Sequence, residues 1–278
     1  MSHEPPVASR FGRRYAAVIL FVVAWMACGW LLRVDANGYL LLGVPLTVLF
    51  QWLIRRRPLP ALWVREAPPF RLEWKGVVMA VALSLVPLAD LVGSAVEQDW
   101  GGCIFSLCSV VGALGAAYAL RHFRREHLRP LAWCLLITLA LDAVQWSLFL
   151  GFGLVEMRPA EGGVPGRVAV GVYSLLQYMA VVFVMEEVTF RMLDSHLHQA
   201  DKRRGVLSAA FISAVWGLWH MPILGEDLTW QAVGLLLYVH VPYGICLSLF
   251  WRKTGNLVVP GLCHALGDAI RNAITVGQ

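Results

Sequence analysis

Long apolar runs separated by short polar connections set the pattern of this chain. Segments that cross the roughly 30 Å hydrocarbon layer of a bilayer need about 20 mostly apolar residues. Nine stretches meet or approach that length: 15–32, 38–54, 76–94, 102–120, 131–154, 167–190, 206–221, 229–251 and 257–276. The second and seventh are short, and the seventh reads equally as a tilted or partial helix. Lipid solvates apolar side chains but not open backbone, so a helix is the element each run predicts. The expected fold class is all-α, a polytopic transmembrane helix bundle of about eight or nine spans.

The connections alternate in charge. Arg55-Arg56-Arg57, the stretch Arg121 to Arg129, Lys202-Arg203-Arg204 and Arg252-Lys253 form one set. Asp35, the pair Glu97 and Asp99, the mixed segment Glu156 to Gly166, and the pair Glu226 and Asp227 form the other. Basic loops stay on the cytoplasmic side, which places the N-terminus in the cytoplasm and, with nine spans, the C-terminus outside. The chain then divides into a cytoplasmic tail over 1–14, N-terminal transmembrane helices over 15–154 and a C-terminal transmembrane core over 167–276. The Pro-rich segment Pro58 to Pro69 reads as a cytoplasmic loop or interfacial stretch. The first apolar run lacks a small-residue cleavage site after it and reads as a retained span. No internal repeat is visible.

Composition agrees with the periodicity. Of 278 residues, 58% are hydrophobic and 15% charged, against about 25% charged in ordinary soluble domains. Twelve Trp suit membrane interfaces. The net charge of +5 sits in separate loop clusters with no continuous patch, so no nucleic-acid partner is expected. Cys28, Cys103, Cys108, Cys134, Cys246 and Cys263 all lie in apolar stretches without zinc-ribbon spacing, and no disulfide is expected.

The ionisable residues inside the spans carry the chemistry. Each costs a few kcal/mol at the bilayer centre and needs a partner or a task. The sixth run ends in Met185-Glu186-Glu187-Val188-Thr189-Phe190-Arg191. Glu187 and Arg191, four apart with the acid first, favour an ion pair. Glu186 has no local counter-charge; taken alone it would simply mark the start of a loop. The seventh run carries Trp216 and His220, and the ninth carries His264 and Asp268 on one helix face. A lone membrane histidine is more often a helix-to-helix hydrogen bonder, and His240, Asp90 and Asp142 read that way. Helix rise places Glu186, His220 and Asp268 at about 21–22 Å, and His264 at about 15 Å, from the basic loops, provided the sixth helix runs past Arg191 toward Ala200. On that condition the four groups converge.

Glu-Glu-x-x-x-Arg, aromatic-x-x-x-His and His-x-x-x-Asp, in this order on successive helices, resemble the CPBP family, the CAAX-protease and bacteriocin-processing intramembrane endopeptidases. The run Arg252-Lys253-Thr254-Gly255-Asn256-Leu257 leading through Pro260 to His264 is similar to what precedes the family's third motif. The resemblance covers about 167–276. It departs at Trp216, where the family usually has Phe, and at Asp268, where it commonly has Asn. An ionised carboxylate only accepts hydrogen bonds, which counts against Asp268 as a donor to an oxyanion.

The resemblance implies peptide-bond hydrolysis near the membrane, with Glu186 as general base, His220 as its partner on the water, His264 and Asp268 on the carbonyl side, and Glu187 with Arg191 holding the sixth helix. A metal version uses Glu186, His220 and His264 as ligands of a zinc ion (Zn2+), a frequent catalytic set. The sequence leaves both open. It implies a peptide or protein substrate at the membrane, a lipid bilayer partner and a multi-pass location in a bacterial plasma membrane. The expected site is a conical cavity among the sixth, seventh and ninth spans, floored by His220 and Asp268, walled by residues such as Phe190, Trp216 and Leu266, and open to the cytoplasm. The rival classes are a proton-coupled transporter using the same ionisable groups as a relay and a catalytically inactive membrane adaptor.

Overall fold

The structure, a computed structural model, describes residues 7–152, 162–198 and 205–274. The mixed segment over 153–161, the basic loop Lys202-Arg203-Arg204, the first six residues and the last four lie outside the described residues. Eleven α-helices follow in order: α1 Val7–Leu32, α2 Ala36–Leu49, α3 Trp74–Val96, α4 Trp100–Arg121, α5 Arg125–Gly151, α6 Gly163–Val181, α7 Glu187–His198, α8 Gly205–Trp219, the single turn α9 Met221–Leu224, α10 Trp230–Thr254 and α11 Val258–Ile274. Among the described residues there is no β-strand, only one isolated bridge between Val64 and Asn256. The fold is the expected all-α bundle.

Among the described residues, seven helical stretches are long and apolar enough to cross a bilayer: Gly12–Leu32, Ala36–Ile54, Trp74–Val96, Trp100–Arg121, Arg125–Gly151, Gly205–Leu224 and Trp230–Thr254. Their exposed faces carry residues such as Leu31, Val96, Leu85 and Leu136, which only lipid covers favourably. The chain is a multi-pass membrane protein. The sixth and ninth runs do not qualify by that measure, and they are the two that hold the motif carboxylates and His264. They enter the bundle by packing on other helices, α6 against α11 above all.

The sixth run is not one helix. α6 ends at Val181, the backbone turns through Val182 to Glu186, and α7 starts afresh at Glu187. The β-branched run Val181-Val182 and the flanking Phe183-Val184 offer little helix propensity. The freed backbone is satisfied by side chains from elsewhere: Trp63 Nε1 donates to the Phe183 carbonyl at 2.7 Å. The segment Pro58 to Pro69 is therefore structural, with Ala61 and Leu62 buried. Its Trp63 carbonyl also accepts from Leu257 N at 2.9 Å, tying the break to the connection before α11. That connection turns at Gly255, whose φ of 63° suits the αL end of α10. Asn256 then donates to the Ala119 carbonyl at 2.9 Å and accepts from Val258 N at 2.9 Å. At Gly261 a Cβ would stand 2.5 Å from the Phe183 ring, so only glycine lets α11 approach the break so closely.

α7 is the core of the bundle. Every residue from Glu187 to Ser195 is buried. α1 and α2 close over it and over the end of α8. Thr47 and Thr189 share a hydroxyl hydrogen bond at 2.6 Å, Trp25 Nε1 donates to the Tyr39 carbonyl at 2.8 Å, and Tyr39 Oη donates to the Trp219 carbonyl at 2.8 Å. Tyr39 thereby satisfies one of the open carbonyls at the end of α8 and fixes the position of His220, the next residue.

Candidate active site

Glu186 stands on the helix break and points into a cavity; Glu187 opens α7 and points the other way. Glu187 Oε1 lies 2.8 Å from Arg191 Nε, with both side chains fully buried. The contact is one of opposite charges, not an aligned hydrogen bond. Arg191 Nη1 also donates to Ser248 Oγ of α10 at 2.5 Å. The other Glu187 oxygen, Oε2, lies 3.1 Å from His264 Nδ1. The expected ion pair is thus present, and it also orients a histidine from α11.

Glu186 Oε1 accepts from Trp216 Nε1 at 2.8 Å. It lies 3.6 Å from His220 Nε2 and 3.9 Å from His264 Nε2. His220 Nδ1 is 3.0 Å from the Trp216 carbonyl. A carbonyl oxygen only accepts, so Nδ1 carries a proton, and the neutral ring presents a lone pair at Nε2. Two acceptors, Nε2 and Oε1, therefore face each other at a distance too long for a direct hydrogen bond. That gap suits a bridging donor such as water.

His264 Nε2 lies 3.4 Å from Asp268 Oδ2. Asp268 Oδ1 in turn pairs with Arg271 Nη1 at 2.8 Å, and Arg271 Nη2 donates to Tyr178 Oη at 3.1 Å. All the residues the motifs singled out, Glu186, Glu187, Arg191, His220, His264 and Asp268, meet in one connected cluster. Convergence rests on α7 continuing to His198, and it does so.

A cavity of about 370 Å³ opens on this cluster, lined among others by Glu186, Trp216, His220, His264 and Asp268. Its remaining walls differ from the expected ones. Phe190 is fully buried behind Trp216 and Trp219, and Leu266 faces a separate apolar groove between α6 and α11. Trp146 of α5, Ile223 beyond α8 and Arg271 of α11 take their place. These three lie in the parts of their helices remote from the basic connections, while the fully buried α7 fills the space on the basic side. The cavity therefore lies toward the end of the bundle opposite the basic loops, the reverse of the expectation.

Two residues read as plain helix bonders also line it. His240 Nδ1 lies 2.7 Å from the Leu236 carbonyl as expected of such a bonder, but its ring also sits 4.2 Å from that of His220. Asp142 Oδ2 is buried without a hydrogen-bond partner and lies close to Gly267. Asp90 is an interhelical bonder, accepting from Tyr173 Oη at 2.5 Å and from Gln177 at 3.4 Å. Arg271 was visible in the sequence, three residues after Asp268 and so on the same face.

The zinc reading finds less support in the donors. Among the described residues, no group of three or more His, Cys, Asp and Glu is placed to hold a metal ion. The six cysteines are free, four of them buried.

No curated protein and no solved structure matches the chain. Residues 168–270 match the family model described as type II CAAX prenyl endopeptidase Rce1-like. The matched segment holds Glu186, Glu187, Arg191, His220, His264 and Asp268. That segment is similar to the CPBP family of intramembrane endopeptidases, as the three motifs imply.

Proposed function

We propose that the protein is an intramembrane endopeptidase in which a water held between Glu186 and His220 attacks a peptide carbonyl. The observation that carries the reading is the pair of facing acceptors, Glu186 Oε1 and His220 Nε2, 3.6 Å apart at the cavity wall. A water there donates one proton to each. As its oxygen bonds to the carbonyl carbon, one proton passes to the Glu186 carboxylate, which later delivers it to the leaving amine as the C–N bond breaks. Trp216 Nε1 holds the carboxylate rotamer throughout.

His264 faces carboxylates at both ring nitrogens, Glu187 at Nδ1 and Asp268 at Nε2. A ring protonated on both nitrogens keeps its Nδ1–H on Glu187, and its Nε2–H, 3.4 Å from Asp268 before substrate binds, turns to the carbonyl oxygen as charge develops on it. Asp268, an acceptor, serves by positioning His264 from Arg271, which answers the difficulty of a carboxylate where the family commonly has an amide. With the basic loops in the cytoplasm of a bacterial cell, the N-terminus is cytoplasmic and the cavity faces the outer half of the membrane.

An internally quenched, prenylated peptide with a CAAX-type C-terminus is a suitable first probe, given the matched family's description. Glu186→Gln keeps the shape and the Trp216 contact but cannot take the proton, and cleavage by purified protein in nanodiscs drops by about 10²–10⁴-fold. Wild-type turnover by the folded variant removes Glu186 as the base.

A further inference from the structure

The end of the bundle opposite the catalytic cavity carries a second recess, of about 280 Å³, with Arg55, Arg57, Arg65, Arg252, Glu66 and His198 in its lining. Arg252 is matched, its guanidinium gripping Asp194 at 2.9 and 2.6 Å. Among the described residues, Arg55, Arg57 and Arg65 grip no carboxylate in this way. Arg55 Nη1 donates to the neutral Gln51 amide oxygen at 2.7 Å, and Arg65 Nη2 donates to the Arg252 carbonyl at 2.9 Å. Among the described residues lining the recess, Glu66 is the one that brings a carboxylate. Burial, with Arg57 and Arg14 nearby, holds the Arg55 guanidinium down to about 10. Arg55 and Arg65 are half-buried and Arg57 is exposed beside them; cations crowded in this way are stabilised by an anion.

The chain just before this recess indicates the kind of anion. The last turn of the second span is a π-helix over Phe50–Ile54, a rare element that recurs at functional sites. It exposes Trp52, Leu53 and Ile54 to the lipid, at 68%, 59% and 54%, and the next residue is Arg55. Leu59 is exposed on the other side of the arginine triplet. An apolar step in the hydrocarbon thus leads directly into a guanidinium-lined recess at the membrane surface. Free phosphate uses only the second part of that surface; a phospholipid uses both.

We infer that this recess binds the headgroup of an anionic phospholipid, its phosphate among Arg55, Arg57 and Arg65 and its acyl chains along Trp52, Leu53 and Leu59. Basic pockets between helices at the membrane surface bind such headgroups, and guanidinium forks suit phosphate oxygens. The site is independent of the proteolytic reading, since it lies at the other end of the bundle from Glu186.

The test uses purified full-length protein in phosphatidylcholine nanodiscs with increasing phosphatidylglycerol, reading bound lipid by native mass spectrometry and the unfolding midpoint in parallel. Each guanidinium near an anionic surface is worth about fivefold in affinity, so Arg55→Gln/Arg57→Gln weakens phosphatidylglycerol binding by about 25-fold. Arg124→Gln/Arg125→Gln, two charges removed from the same end of the bundle but outside the recess, keeps the tightly bound lipid and its stabilisation. Equal losses in the two variants would show a diffuse surface attraction and overturn the site. Stabilisation reproduced by inorganic phosphate in neutral nanodiscs would show a free-anion site and overturn the lipid assignment. An unfolding midpoint unmoved by phosphatidylglycerol, with no lipid retained, would overturn both.

Discussion

Arg191 is the residue whose removal the structure penalises most sharply. Its side chain and that of Glu187 are both fully buried, 2.8 Å apart, and Glu187 has one further partner, His264. Arg191→Met keeps most of the volume but leaves a carboxylate in the interior with its main counter-charge gone. Breaking a buried pair from one side costs about 3–5 kcal/mol. Removing both charges together, as in Glu187→Gln/Arg191→Met, restores much of this loss, because the amide oxygen still accepts from His264 and neither position carries a buried charge. The coupling between the two positions is then about 2–3 kcal/mol. The protein carries its own reporter: Cys103, Cys134, Cys246 and Cys263 are buried and react with a fluorogenic maleimide only as the bundle opens. Unfolding by heat or by titrated denaturing detergent, followed with that dye in wild type, both single variants and the double variant, gives the cycle without any substrate. An Arg191→Met variant within about 1 kcal/mol of wild type, or a double variant no more stable than the single one, refutes the reasoning that the pair is a fold-determining charge contact.

Three further outcomes follow from the same geometry. Arg271→Met, which leaves Asp268 with His264 as its remaining partner, lowers both the unfolding midpoint and turnover, and Asp268→Asn in that background restores them; absence of rescue means that Arg271 acts through Tyr178 instead. Exhaustive chelation leaves cleavage intact and the purified protein with far less than one zinc per chain, whereas inactivation by chelator with recovery on added zinc would reinstate a metal-bound water. In sealed vesicles of a cysteine-free background, Ile223→Cys reacts with a membrane-impermeant thiol reagent from the side opposite to Lys253→Cys, and reaction of both from one side would place the cavity mouth at the basic loops.

How far the residues alone carry is plain at particular positions. Each of the nine apolar runs is helical over most of its described residues, the sixth as two helices, because a run of that length in lipid has hardly another way to satisfy its backbone. The motif residues met because residues four apart share a helix face: Glu187 with Arg191, Trp216 with His220, His264 with Asp268. What was missed depends on contacts distant in sequence. The break after Val181 is held by Trp63, some 120 positions away; nothing local distinguishes that tryptophan from an interfacial one. Asp142 and His240 read as ordinary helix bonders because their own spans give no reason to aim them at the cavity, and only the packing of α5 against α11 and of α10 against α8 does so.

The end of the bundle at which the cavity lies is within reach of the sequence, although the basic loops alone point to the other end. Helix rise put Glu186, His220 and Asp268 about 21–22 Å from the basic loops, in a hydrocarbon layer roughly 30 Å thick. Those distances already place the site beyond the midplane, nearer the acidic connections, so the shorter route for water runs from that end. The structure adds what blocks the longer route. α7, buried from Glu187 to Ser195, fills the basic side with the side chains that hold Glu187 and Arg191. The helix that carries the buried ion pair is thus also the plug, and a cavity cut through from the basic side would expose that pair to water. Depth of the site and direction of access are, on this account, two consequences of where the sixth run breaks: five residues of non-helical chain let Glu186 face the cavity while Glu187 faces the core.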